Sequence, residues 1–208
     1  MGLFEAVVVI YLREIFYPAG FYFPLKEIPL RFLSIEIARE ISTIIMLIAI
    51  SIIAGKNLLE KFCYFIYSFS IWDIFYYVWL KVTLNWPSSL FNYDILFLIP
   101  VPWVAPVLAP VICCITMIFI GIGMLYVYEK NGAIPHIKFS DLILILSGGI
   151  IIIISFVVDY ISWVARGNRV DQFVPVKYYW GLLITGNLLA LISFLRVYLR
   201  NKTVRKLL

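Results

Sequence analysis

From Trp72 to Pro110 the chain reads WDIFYYVWLKVTLNWPSSLFNYDILFLIPVPWVAPVLAP, and this stretch limits what the rest can fold into. It sets an acid, Asp73, inside an apolar run, where an ionised carboxylate is costly unless it is paired or used. Trp72, Trp79 and Trp86 stand seven residues apart, and indole rings settle where apolar and wet surroundings meet. The stretch closes on Pro100, Pro102, Pro106 and Pro110. None of these fits inside an undisturbed helix, because proline lacks an amide hydrogen and clashes with the preceding turn.

Composition places these constraints in a membrane. The 208 residues are 63% hydrophobic and 14% charged, with a mean hydropathy of +1.00; soluble domains carry about 25% charged residues. The formal charge of +5 is concentrated in the final RVYLRNKTVRKLL. A basic tail after a hydrophobic helix reads as a cytoplasmic anchor near anionic lipid headgroups, so nucleic acid is not an expected partner. Cys63, Cys113 and Cys114 lie in apolar segments without a CxxC, and read as core residues rather than disulfides or metal ligands. The one histidine, His136, cannot supply two axial haem ligands, and no cofactor is expected.

The fold class expected is an all-α integral membrane protein, one domain over 1–208. It would be a bundle of five to six transmembrane helices with one proline-broken segment. Residues 1–17 are short and carry Glu5, Arg13 and Glu14; without a basic n-region or cleavage site they are expected to be retained, as a short span or an interfacial helix. Transmembrane helices are expected over 30–54, 60–84, 93–128, 140–164 and 177–199, before a basic tail at 200–208. The 93–128 segment exceeds the roughly 20 residues that cross a bilayer, so its proline-rich beginning is expected to be broken or re-entrant, leading into helix near Pro106. Such backbone is tolerated at membrane depth only when buried in protein or lining a wet cavity. Counting basic residues by loop puts the C-terminus on the cytoplasmic side.

Only GKNLL separates the 30–54 and 60–84 segments, so the two form an antiparallel hairpin. At roughly 1.5 Å per residue, folding about Asn57 and Leu58 brings Asp73 within about one turn of Arg39 and Lys81 level with Glu36. The expected structural ion pairs are therefore Asp73 with Arg39 and Lys81 with Glu36. Pairing at depth is close to compulsory. A second reading gathers Glu40, Asp73, Tyr77 and Asp159 around a polar cavity. Trp72, Trp79, Trp86, Trp103 and Trp180 are expected as interface aromatics; the first three, two helical turns apart, share one face and read as a packing or lipid-facing seam. Ser147, Gly148 and Gly149 are expected to let a neighbouring helix approach closely.

No HExxH, GxSxG, phosphate-binding glycine loop or cysteine–histidine pair is present, so no catalytic residues are assigned and an enzyme is the less favoured class. The motifs WDIFYY and FLIPVPW, within Glu36 to Pro110, resemble a family of polytopic bacterial inner-membrane proteins of uncharacterised activity. The resemblance implies a bacterial inner-membrane location and a several-helix fold, and no activity. The expected function is a non-catalytic integral subunit of a larger bacterial membrane complex, of respiratory or electron-transfer type. It would provide helix packing, anchoring and lipid or quinone contacts to other integral membrane subunits. The alternative is a small ion or solute carrier or channel using the Glu40, Asp73 and Asp159 cavity.

Overall fold

The structure is a computed structural model that describes residues 1–26 and 28–203. Of the expected basic tail at 200–208, residues 204–208 lie outside the described residues. Among the described residues six α-helices dominate: α1 (Gly2–Phe16), α2 (Leu30–Ala54), α3 (Leu58–Leu84), α4 (Leu108–Asn131), α5 (Phe139–Ala165) and α6 (Trp180–Thr203). Four of them, α2, α4, α5 and α6, are long and apolar enough to cross a membrane. Helix α1 has 15 residues, short of the roughly 20 that a span requires. Helix α3 is long enough at 27 residues, but it owes much of its apolar surface to tyrosine and tryptophan rings that carry polar groups.

Local chemistry sets the helix ends. The amides of Phe32 and Leu33 start α2 by bonding to the Pro29 carbonyl, and the amide of Gly55 closes it on Ser51. Helix α3 begins with reciprocal caps: the Glu60 amide donates to Asn57 Oδ1 at 3.0 Å and the Lys56 amide to the Glu60 carboxylate at 2.6 Å. It ends at Leu84, followed by Asn85 in the left-handed region at φ 52°. Asparagine tolerates that conformation better than most residues.

The proline-rich segment is where sequence and structure part. Instead of a broken helix it forms an antiparallel hairpin of β1 (Tyr93–Phe97) and β2 (Trp103–Pro106), pairing Tyr93 with Pro106, Asp94 with Ala105, Ile95 with Val104 and Phe97 with Trp103. The fold is therefore helical with one small β element. Aromatic and β-branched residues suit a half-buried pleated surface, and the prolines fall where a strand tolerates them: Pro100 and Pro102 in the turn, Pro106 at the end of β2. The pairing continues into the helix start, the Val107 amide bonding to Asn92 and the Leu108 amide to Leu90. Pro110 falls in the first turn of α4, where an amide has no helical partner to lose.

The chain gathers into two compact units. Unit 1 comprises 1–46, 71–111 and 156–178. Its core joins Ala6 of α1, Tyr76, Tyr77 and Leu80 of α3 and Val107, with a second cluster of Val104, Tyr160 and Phe173. Unit 2 comprises 47–70, 112–155 and 179–208. Its core packs Cys63 and Ile66 of α3, Ile120 and Met124 of α4, and Ala190, Phe194 and Val197 of α6. There α5 and α6 touch backbone to backbone: a Cβ on Gly148 would lie 2.7 Å from the Gly186 carbonyl oxygen.

Candidate functional site

Unit 1 holds the most deeply buried ion pair among the described residues. Arg13, in the last turn of α1, donates from Nη2 to Asp94 Oδ1 of β1 at 3.0 Å, and the two residues are 7% and 2% exposed. Tyr76 of α3 donates to the other Asp94 oxygen at 3.4 Å, and Tyr77 also bonds to that carboxylate. Arg13 also lies against two rings: its guanidinium is 3.8 Å from the Trp86 ring centre and 4.5 Å from that of Phe21, the rings meeting edge-on. Burial pushes the Asp94 carboxyl above the usual carboxylate range, against the pull of Arg13. One aspartate thus binds α1, α3 and the hairpin together.

A second group of charges surrounds Arg39 of α2. Its Nε donates to Glu36 at 2.8 Å and its Nη1 to Glu5 of α1. Next to Arg39 in sequence, both oxygens of Glu40 accept the Leu98 amide, at 3.0 and 3.1 Å, tying α2 to the hairpin turn. A backbone amide is a strong donor to a carboxylate and fixes it in place. Asp159 of α5 likewise accepts a backbone amide, that of Val176.

The residues singled out from sequence therefore have the following surroundings. Arg39 pairs with Glu36 and Glu5, and the partner of Glu36 is Arg39 rather than Lys81. The Lys81 ammonium instead donates to the carbonyls of Asn85 and Pro87, at 3.4 and 3.0 Å, closing the end of α3. The pairing by depth treated α2 and α3 as an isolated hairpin, whereas α1 supplies a closer acid for Arg39. Asp73 is half-buried on α3 and acts electrostatically on Tyr76. A cavity in unit 1, about 260 Å³, is lined mainly by rings, among them Phe21, Tyr22, Phe23, Trp86 and Tyr93; Glu40, Asp73 and Asp159 are not in its lining.

The tryptophans divide by element. Trp72 is buried against Phe97, and Trp79 packs on the first core cluster. Trp86 leaves the expected seam, because α3 stops at Leu84 and the ring turns onto Arg13. Trp103 of β2 stacks on Phe156, ring centres 5.9 Å apart, and Trp180 opens α6.

Sequence reasoning missed Asp94, hidden in the apolar LFNYDILF, and gave Arg13 and Glu5 no partner. An acid alone among strand-forming residues was the available signal. It also missed the cluster of unit 2, where Asp141, 1% exposed, caps the α5 start by accepting the Lys138 amide at 3.0 Å. The same carboxylate meets Arg200 of α6 at 2.7 Å and Arg196 at 3.3 Å. His136 takes part through its backbone: its amide donates to Asn201 Oδ1 and its carbonyl accepts from Arg200.

Fold and site together define a predominantly helical protein with four helices suited to crossing a membrane and a strapped, ion-paired region in unit 1. No protein-family model, curated protein or solved structure matches the chain.

Proposed function

We propose that the chain is an integral protein of the bacterial inner membrane in which α2 to α6 make five crossings, with the C-terminus cytoplasmic. It serves there as a non-catalytic subunit of a larger membrane complex, of respiratory or electron-transfer type, supplying helix packing, anchoring and lipid or quinone contacts. The observation that carries the scaffold reading is how the acids of unit 1 are used. Asp94 is held by Arg13, Glu5 and Glu36 by Arg39, Glu40 by the Leu98 amide and Asp159 by the Val176 amide. Carboxylates committed to the protein's own arginines and amides fasten helices, whereas a carrier needs them open to a solute.

Charge distribution supports the orientation. Among the described residues, unit 2 carries seven lysines and arginines against three acids, while unit 1 carries eight of each. Loops rich in lysine and arginine stay on the cytoplasmic side, and here they flank the residues of unit 2. The resemblance of WDIFYY and FLIPVPW to bacterial inner-membrane proteins points to the membrane concerned. Gentle extraction from the native membrane, followed by sizing and mass spectrometry, tests the proposal. Integral partners at fixed stoichiometry are the expected result; a lone monomer or homo-oligomer overturns it, and transport in liposomes is then the next assay.

A further inference from the structure

The last turns of α4 and α6 enclose a cavity of about 290 Å³ in unit 2, lined chiefly by Tyr126, Lys130 and Asn131 of α4 and by Tyr198, Asn201 and Lys202 of α6. Each helix contributes a tyrosine and a lysine four residues apart, a spacing that sets both side chains on one face. On α4 the Lys130 ammonium lies 3.4 Å from the Tyr126 hydroxyl and 5.4 Å from its ring centre. The wall is fixed by Asn201, whose amide group accepts from the His136 amide at 2.9 Å and donates to the Val197 carbonyl at 2.7 Å.

The charges here differ from those of the nearby arginines. Arg196 and Arg200 are taken up by Asp141. Among the described residues, neither Lys130 nor Lys202 forms an ion pair with a carboxylate. Two lysines and two tyrosines thus line one cavity, in the unit that carries the positive excess.

We propose that this cavity binds a phosphate group, that of an anionic phospholipid headgroup. The source rests on the reading of the chain as a bilayer protein. Basic pockets between membrane helices on the cytoplasmic side suit such headgroups, and the tyrosines belong at the same interfacial depth. A lysine in the last turn also complements the helix dipole. That dipole repels an anion, so the attraction must come from the two ammoniums acting together, and losing both weakens binding strongly.

The test uses the full-length protein purified in detergent and read by native mass spectrometry, with phosphatidylglycerol or phosphatidylcholine added. Wild type retains phosphatidylglycerol over phosphatidylcholine, and Lys130→Gln with Lys202→Gln retains it at least about tenfold less. Lys56→Gln with Lys138→Gln, which removes the same charge from the same unit, behaves as wild type. Equal retention by wild type and the Lys130/Lys202 variant overturns the proposal, as does an equal loss in the control variant. Millimolar inorganic phosphate that displaces the lipid, and fails to bind the Lys130/Lys202 variant, sustains the phosphate site but assigns it to the free ion. Failure of the membrane reading is seen separately: the chain then leaves native membranes in an alkaline wash, before any lipid is added, and the lipid source falls with it.

Discussion

At the scale of the residue, Arg13 and Asp94 decide how unit 1 holds together. Each is desolvated, and each is tolerated only because the other is present. Removing one partner of such a pair costs about 3–5 kcal/mol, because the survivor is left charged in an apolar site, whereas replacing both with apolar groups is often close to neutral. Arg13→Met alone is therefore expected to lower the melting temperature in detergent sharply, and Arg13→Met with Asp94→Leu to recover most of the loss. Burial already raises the Asp94 carboxyl above its ordinary value, so the folded state holds that proton more tightly than the unfolded chain. Its contribution to stability is present below the ordinary carboxylate range and is lost as pH rises through the folded value. Without Arg13 the shift grows, and the deficit of Arg13→Met should be smaller at pH 5 than at pH 8. A deficit independent of pH would place the loss in the cation–π contacts with Phe21 and Trp86 instead.

At the scale of the element, the hairpin and the α5–α6 contact matter most. A lone two-stranded hairpin is marginal in water; here Glu40 clamps its turn and Asp94 its first strand. Glu40→Gln keeps an acceptor for the Leu98 amide and should melt within about 1 kcal/mol of wild type, while Glu40→Ala orphans that amide and should cost about 1–3 kcal/mol. Gly148→Leu drives a side chain into the Gly186 carbonyl and should destabilise by a further margin than Gly149→Leu, whose Cβ would meet nothing within 4 Å. These elements also show what the sequence made legible. Helices α2, α5 and α6 announced themselves because a membrane-length apolar run between breakers has few other outcomes, and Gly148 is read correctly as a point of approach. The hairpin did not, since prolines state only that a helix is interrupted and leave the replacement open. The Lys81–Glu36 pairing fails because depth along two helices says nothing of a third, α1, which brings Glu5 to Arg39 and Arg13 to Asp94.

At the scale of the whole molecule, the proposal of five crossings fixes which loops share a side of the bilayer, and cysteine labelling reads that directly. The native Cys63, Cys113 and Cys114 are all buried, so a membrane-impermeant maleimide should report added cysteines over a low background. Arg166→Cys and Ala133→Cys flank α5. With the C-terminus inside, the first is expected to be labelled in intact cells and the second only after lysis. The reverse pattern would invert the orientation inferred from charge, and labelling of both from outside would remove α5 from the bilayer. Lys56→Cys and Leu90→Cys put the same question to α3, which is long enough to cross but carries Asp73 and a coat of tyrosines. Labelling of Leu90→Cys alone in intact cells makes α3 the fifth span. Labelling of both from one side leaves four crossings, the number that length and hydropathy support by themselves. Four crossings also return the flanking loops of α2 and α3 to a different pairing of sides, so the two cysteine pairs must agree on one topology for either count to stand.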